Sequence, residues 1–239
     1  MKRHVSILLP VLFLILFSCA SRSPLDRLKA QLAKYPEYSV MLEDMKEEGN
    51  FFKDYFHRYK IVYGKPVENS DSLVYENYLT DWEKVSKKEY QKYWNYLGMV
   101  ILSKTKDGGV TQTAYPPGYQ YVGNPRYGHW RQDSHGSSFW EFYGKFAFFN
   151  AMFNMFGRPV YRNDWDTFSR YRSNRQPYFG RNRQYGTAGK YTQRTNKSFF
   201  QRRQQREAAR KAKFSDRVKR RVKRSRMSGV RSRSGGFGK

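Results

Sequence analysis

The charge of this chain is gathered at one end, and that partition limits what can fold. Residues 158–239 carry 26 lysines and arginines against 4 aspartates and glutamates, a net of +22. Residues 1–157 carry 20 against 16, a net of +4, which completes the +26 of the whole. Like charges at that density repel, so the last third gains little by collapsing on itself. A core must come chiefly from the first 157 residues, with a basic tail after it. Of the 239 residues, 38% are hydrophobic and 18% aromatic, with 20 tyrosines and 18 phenylalanines, so rings must fill much of the interior.

The N-terminus has the build of an export signal. Lys2, Arg3 and His4 give a short positive start, and an apolar run follows from Val5 to Phe17, broken by Ser6 and Pro10. Such a run is too short for a bilayer, which takes roughly 20 residues, and has the length of a signal-peptide core. It ends in Leu16-Phe17-Ser18-Cys19. This resembles the lipobox of bacterial lipoproteins in a relaxed form, with Phe17 at the tolerant second position. The resemblance covers residues 1–19. It implies cleavage before Cys19, acylation of the Cys19 sulfur (often of its amino group too), and a mature chain held to membrane lipid. Two or more acyl chains anchor stably where one does not. Ala20 and Ser21 stand where, by the same resemblance, an Asp would favour the inner membrane. The expected location is therefore the cell envelope, at the outer membrane rather than the inner. Cys19 is the only cysteine, so no disulfide can form within the chain, and a lipidated Cys19 cannot be a nucleophile.

The mature chain reads as α+β. The expected layout is a lipidated N-terminus with peripheral helices over 19–49 and a small mixed helix and strand domain with an aromatic core over 50–157. An Arg/Tyr/Gly-rich linker over 158–196 and a polybasic tail over 197–239, helical passing to disordered, follow. Ser23-Pro24-Leu25-Asp26 starts a helix with Leu25, Leu28 and Leu32 on one face, and Val40, Met41 and Met45 predict a second helical piece ending at Gly49. Alternation from Tyr55 through His57, Tyr59 and Ile61 to Tyr63 predicts a strand; Leu73–Tyr78 and Met99–Leu102 predict two more, the last followed by a turn at Asp107-Gly108-Gly109. Ser86 and Glu89, three apart, form a capping box for a helix bearing Tyr90, Tyr93, Trp94 and Leu97. The ring-rich run from Phe139 to Phe156 predicts a five-turn helix, either core or interfacial, ended by Gly157. Residues 170–190 offer little to bury. Ser198 and Ser215-Asp216 are the expected starts of two basic helices, with disorder from Ser228 to Lys239.

Candidate chemistry is sparse. His129, Asp133 and His135 lie together on a Gly-rich stretch and are the one grouping with metal-binding side chains, with Glu141 near in sequence as a base. Their spacing also suits loop hydrogen bonding. His57 on its tyrosine-rich strand reads as structural. No Gly-x-Ser-x-Gly, Walker A, Gly-x-Gly-x-x-Gly or His-Glu-x-x-His sequence occurs. The expectation is accordingly a non-enzymatic protein without a cofactor. Tyr121–Gly128 and Tyr178–Gly186 both set Tyr and Arg among Gly and Asn, a composition that stacks on sugars or bases.

The tail is the strongest feature. Its expected anion-binding residues are Arg202, Arg203, Arg206, Arg210, Lys211, Arg217, Lys219, Arg220, Arg221, Lys223 and Arg224. Arginine pairs bidentately with phosphate. In a cytosolic chain this density would mean nucleic acid. After an export signal, the abundant polyanions are lipid phosphates, lipopolysaccharide and wall polymers. Two other readings remain: a surface adhesin-like module binding glycan or extracellular nucleic acid, and a metal-dependent enzyme around His129–Glu141.

Overall fold

A computed structural model describes residues 23–49, 51–106, 109–155 and 158–231, with side chains as far as Arg224. The export signal, Cys19, Asp107-Gly108, Gly157 and residues 232–239 lie outside the described residues. The fold is α+β. In chain order come α1 (Pro24–Leu32), β1 (Glu37–Glu48), β2 (Asp54–Pro66), β3 (Leu73–Leu79), β4 (Glu83–Val85), α2 (Lys87–Tyr93), β5 (Val100–Lys104) and β6 (Val110–Thr111). β7 (Gly128–Gln132), β8 (Ser138–Phe142), α3 (Phe149–Met152), α4 (Arg162–Ser173), α5 (Lys190–Thr195) and α6 (Lys197–Arg231) follow. β1 is central in an antiparallel sheet ordered β3-β2-β1-β5-β6, with β4 pairing the first half of β2. β7 and β8 form a separate hairpin.

The caps read from the sequence form as their chemistry requires. Ser23 Oγ accepts from the Asp26 N–H at 3.2 Å, and Ser86 Oγ from the Glu89 N–H at 3.1 Å, each satisfying an orphan donor of a first turn. α1 is not peripheral: Leu25, Leu28 and Leu32 are buried in the same cluster as Tyr38, Val40 and Leu42 of β1.

The predicted helix at Val40–Met45 is instead β1. Its pairing with β2 shifts register between Leu42 and Asp44, leaving Glu43 without a Cα partner. A bulge adds one residue and reverses the alternation. Tyr38, Val40 and Leu42 face one core, and after the bulge Met45 faces that core too. The resulting three-residue step from Leu42 to Met45 imitates helical spacing. Met41, between Val40 and Leu42, faces the other side of the sheet.

The Phe139–Phe156 run is also not one helix. β8 pairs with β7 in the register Trp130↔Trp140, a short 3₁₀ turn covers Gly144–Phe146, and among the run's described residues only Phe149–Met152 is α-helical. Most of the rings pack inward: Trp140, Phe149 and Phe153 are buried, whereas Tyr143 and Phe148 stay exposed. Phe149 contacts the rings of Tyr75, Tyr121, Phe142 and Phe146, with Tyr121 stacked at 4.3 Å. Rings meeting from every side supply the contacts a helix would otherwise provide.

The sheet thus carries a core on each face. One is closed by α1, α2 and Phe199 of α6. The other is closed by Tyr119, Tyr121, Tyr127, the β7-β8 hairpin, α3 and α4. Residues 158–196 are not a bare linker, and 170–190 do bury side chains: Phe168 and Tyr178 lie in the second core, Tyr185 in the first. Buried hydroxyls need acceptors, and two carboxylates provide them. Glu37 accepts from Tyr75 and Tyr127, both at 2.7 Å, and Asp164 accepts from Tyr119 and Tyr178. Burial raises the pKa of Tyr119 and Tyr178, and the Asp164 carboxylate pushes the same way.

Candidate functional site

The most concentrated charge lies on α6, and its dock on the sheet is built by the bulge in β1. At Glu43 the ladder opens. The Glu43 carbonyl accepts from Asn196 Nδ2 at 2.6 Å, just before the helix begins. Asp44 turns its carboxylate toward Arg202, at 2.6 Å, with Ser198 Oγ at 3.3 Å. One turn further on, Arg206 Nη1 donates to the Glu47 carbonyl at 3.0 Å. Phe199 enters the first core beneath these contacts and packs against Trp94. Ser198 lies within the first turn of α6, and Ser215-Asp216 does not start a second helix, because α6 runs unbroken from Lys197 to Arg231.

The eleven expected anion-binding residues therefore divide. Arg202 and Arg206 hold the helix to β1, and Arg203 pairs with Glu207 at 3.0 Å while lying over Trp94. Arg210, Lys211, Arg217, Lys219, Arg220, Arg221, Lys223 and Arg224 lie beyond the dock and are exposed. From Glu207 to Arg224 the helix presents nine lysines and arginines against two carboxylates. At about 1.5 Å per residue, the part after Arg206 reaches roughly 37 Å. Phe214, Val218 and Val222 recur every fourth residue on it and are 67%, 43% and 49% exposed. An apolar strip between cations is the pattern of a helix that lies on an interface.

A second feature escaped the sequence reading. Phe51 and Phe52 stand at the tip joining β1 and β2 and are 98% and 94% exposed. The signal was available, since two adjacent rings between Gly49 and Lys53 cannot both turn inward on one strand. The tip follows Glu47, and Glu47 is the residue that receives Arg206. Lys46, over the rings of Phe56 and Trp82, and Lys53, paired with Glu47 at 2.6 Å, flank it. The exposed rings and the free stretch of α6 thus leave the body at the same end of β1.

The His129 region does not assemble as a metal centre. His129 and Glu141 face each other across the β7-β8 hairpin, with Nε2 and Oε2 3.4 Å apart, and Arg131 takes the other Glu141 oxygen at 2.9 Å. Asp133 Oδ1 accepts the backbone N–H groups of His135, at 2.9 Å, and Ser137, at 2.8 Å, closing the turn. Among the described residues no three His, Cys, Asp or Glu side chains converge as metal ligands would. His57 is wholly buried, its Nδ1 3.0 Å from the Tyr59 hydroxyl and its ring stacked on Tyr90. Burial pushes its pKa down to about 3, so it is neutral at ordinary pH. No described helix is long and apolar enough to cross a membrane.

No protein-family model, curated protein or solved structure matches this chain.

Proposed function

We propose that this chain is a non-enzymatic, lipid-anchored envelope protein whose α6 binds an anionic lipid surface. The observation that carries this reading is the free stretch of α6. Nine cations and a three-residue apolar strip project from the body with two carboxylates among them. Each Lys or Arg near an anionic membrane contributes about 1 kcal/mol. Phe51 and Phe52 favour lipid over a purely hydrophilic polymer, because rings at this exposure gain by entering an interface. Acylated Cys19 would supply the salt-insensitive part of the attachment, and α6 the salt-sensitive part.

The test is co-sedimentation of the mature chain from residue 19 carrying Cys19→Ser, so that neither the signal's apolar run nor an acyl anchor contributes, with vesicles of neutral or anionic lipid. Binding to the anionic vesicles alone is expected, falling steeply as salt rises. Replacing Phe51 and Phe52 by Ser should weaken what survives at high salt. Equal binding to both vesicle types, or no response to salt, would falsify the electrostatic mechanism.

A further inference from the structure

A second basic site lies apart from α6 and does not rest on the membrane reading. It is a cleft of about 680 Å³, walled by Asn95, Arg158, the segment Phe179–Tyr185 and α5. Arg158, Arg183, Lys190 and Arg194 line it, and no carboxylate does. The described ion pairs involve none of these four cations. Cations gathered without counter-charges repel one another, and an anion in the cleft relieves that repulsion.

Two of the four cations are held in place by the protein. The Arg158 guanidinium lies 4.0 Å from the centre of the Tyr191 ring and donates to Gln184 Oε1 at 2.7 Å. Arg183 lies 5.3 Å from the Phe179 ring, which stacks in turn on Tyr96. Rings that take the faces of two guanidiniums leave their N–H edges for a ligand. The loop itself is constrained. Asn182 and Arg183 have consecutive φ values of 57° and 51°. Asparagine tolerates that region, but arginine enters it at a cost, and such strain gathers at binding sites. The loop is pinned by hydrogen bonds from the Tyr185 N–H to the Phe179 carbonyl and from the Thr187 N–H to the Asn95 carbonyl, at 3.0 and 3.2 Å. Gly186, at φ 80°, lets it pass the Asn95 carbonyl, where a Cβ would approach to 2.6 Å.

We infer that this cleft binds a phosphorylated sugar unit. The guanidiniums and the Lys190 ammonium would take the phosphate through charge-assisted bonds. The side chains of Asn95 and Asn182 and the amide nitrogen of Gln184 have no hydrogen-bond partner among the described residues and suit sugar hydroxyls. The volume falls in the range of small-molecule sites, about 300–1,000 Å³, and is far more than a bare phosphate needs.

The test is calorimetric titration of the detergent-solubilised full chain with a hexose phosphate, the parent hexose and inorganic phosphate. Saturable binding of the hexose phosphate is expected, with the other two at least about tenfold weaker. The double variant Lys190→Gln/Arg194→Gln removes exposed side chains with no described protein partner, so it should melt like the wild type. It should bind about a hundredfold more weakly, each charged hydrogen bond accounting for about tenfold. The tail variant Lys219→Gln/Lys223→Gln should bind as the wild type does. Three results overturn the inference: no saturable binding, equal affinity for inorganic phosphate, or a tail variant that loses as much as the cleft variant. Vesicles bearing a phosphorylated glycolipid identify the source. Displacement of the hexose phosphate assigns a lipid-borne sugar, and failure to displace assigns a free one; either result keeps the ligand class.

Discussion

The first ten residues of α6 and the stretch from Glu207 to Arg224 are both rich in arginine, yet they do opposite things. In the first, Phe199 is wholly buried, Arg202 meets Asp44 at 2.6 Å, and Arg206 reaches Glu47. In the second, every described side chain is exposed. The difference lies less in the helix than in what faces it. The bulge in β1 turns the Glu43 carbonyl and the Asp44 carboxylate out of the ladder, and the arginines opposite them become structural. Further along, no described sheet lies opposite, and the same side chain types stay exposed. Density of arginine therefore locates a basic helix. The fixed acceptors on the body decide which of its arginines are spent on folding.

Truncating the dock should have the largest effect. Phe199→Ala removes a wholly buried ring from the first core and is expected to cost about 3–5 kcal/mol in denaturant unfolding. Phe214→Ala, on the free stretch, should stay within about 0.5 kcal/mol. Equal losses would erase the distinction between the two stretches. Next comes Arg202→Met. The Asp44 side chain is only 12% exposed, and removing its cation leaves that carboxylate uncompensated, at about 3 kcal/mol. Arg217→Met should be neutral for stability and should weaken binding to anionic vesicles.

Acid separates the two regions in another way. The body contains buried His57, whereas residues 207–239 contain no histidine. Burial lowers the folded pKa of His57 from 6.5 to about 3. The neutral ring's contribution is complete above pH 6.5 and is lost as pH falls toward 3, because the unfolded chain then binds a proton that the folded body refuses. The expected slope is about 1.4 kcal/mol per pH unit within that window. A His57→Leu variant should lack this slope when unfolding free energies are compared between about pH 6 and 4. Parallel curves for the two proteins would mean that His57 is protonated inside the fold.

Local chemistry was legible in the sequence, and contacts made at a distance were not. Ser86 and Glu89 set a helix start because cap and donor are three residues apart. Tyr55 to Tyr63 showed its strand because β2 keeps its alternation. β1 hid because its bulge replaced a two-residue step by a three-residue one between Leu42 and Met45. The Phe139–Phe156 run was dense enough in rings that its periodicity could not separate strand from helix, although the polar stretch Asp133–Ser137 marks the hairpin turn before it. Nothing near Arg202 announces Asp44, which lies 158 positions earlier. The same holds for the cleft. Arg158, Arg183 and Arg194 look like scattered tail charge until the loop at Gly186 folds back on Asn95.

The smallest expected effect tests whether the free stretch is more than a row of charges. Val218 and Val222 are about half exposed and continue the line of Phe214. Replacing both by Ser leaves every cation in place. If α6 binds anionic lipid by charge alone, vesicle affinity should not change at any salt concentration. If the strip enters the interface, the pair should cost about 1 kcal/mol, near fivefold in affinity. Screening removes the electrostatic part first, so the relative loss should be easiest to see at high salt. Helix content read by circular dichroism on vesicles supplies an independent check. Lys213, Arg217 and Arg221 are spaced i,i+4, and such like-charge pairs each destabilise an isolated helix by about 0.2–0.5 kcal/mol. An anionic surface relieves that repulsion in wild type and variant alike, so both should gain helix on binding, with the variant bound about fivefold more weakly.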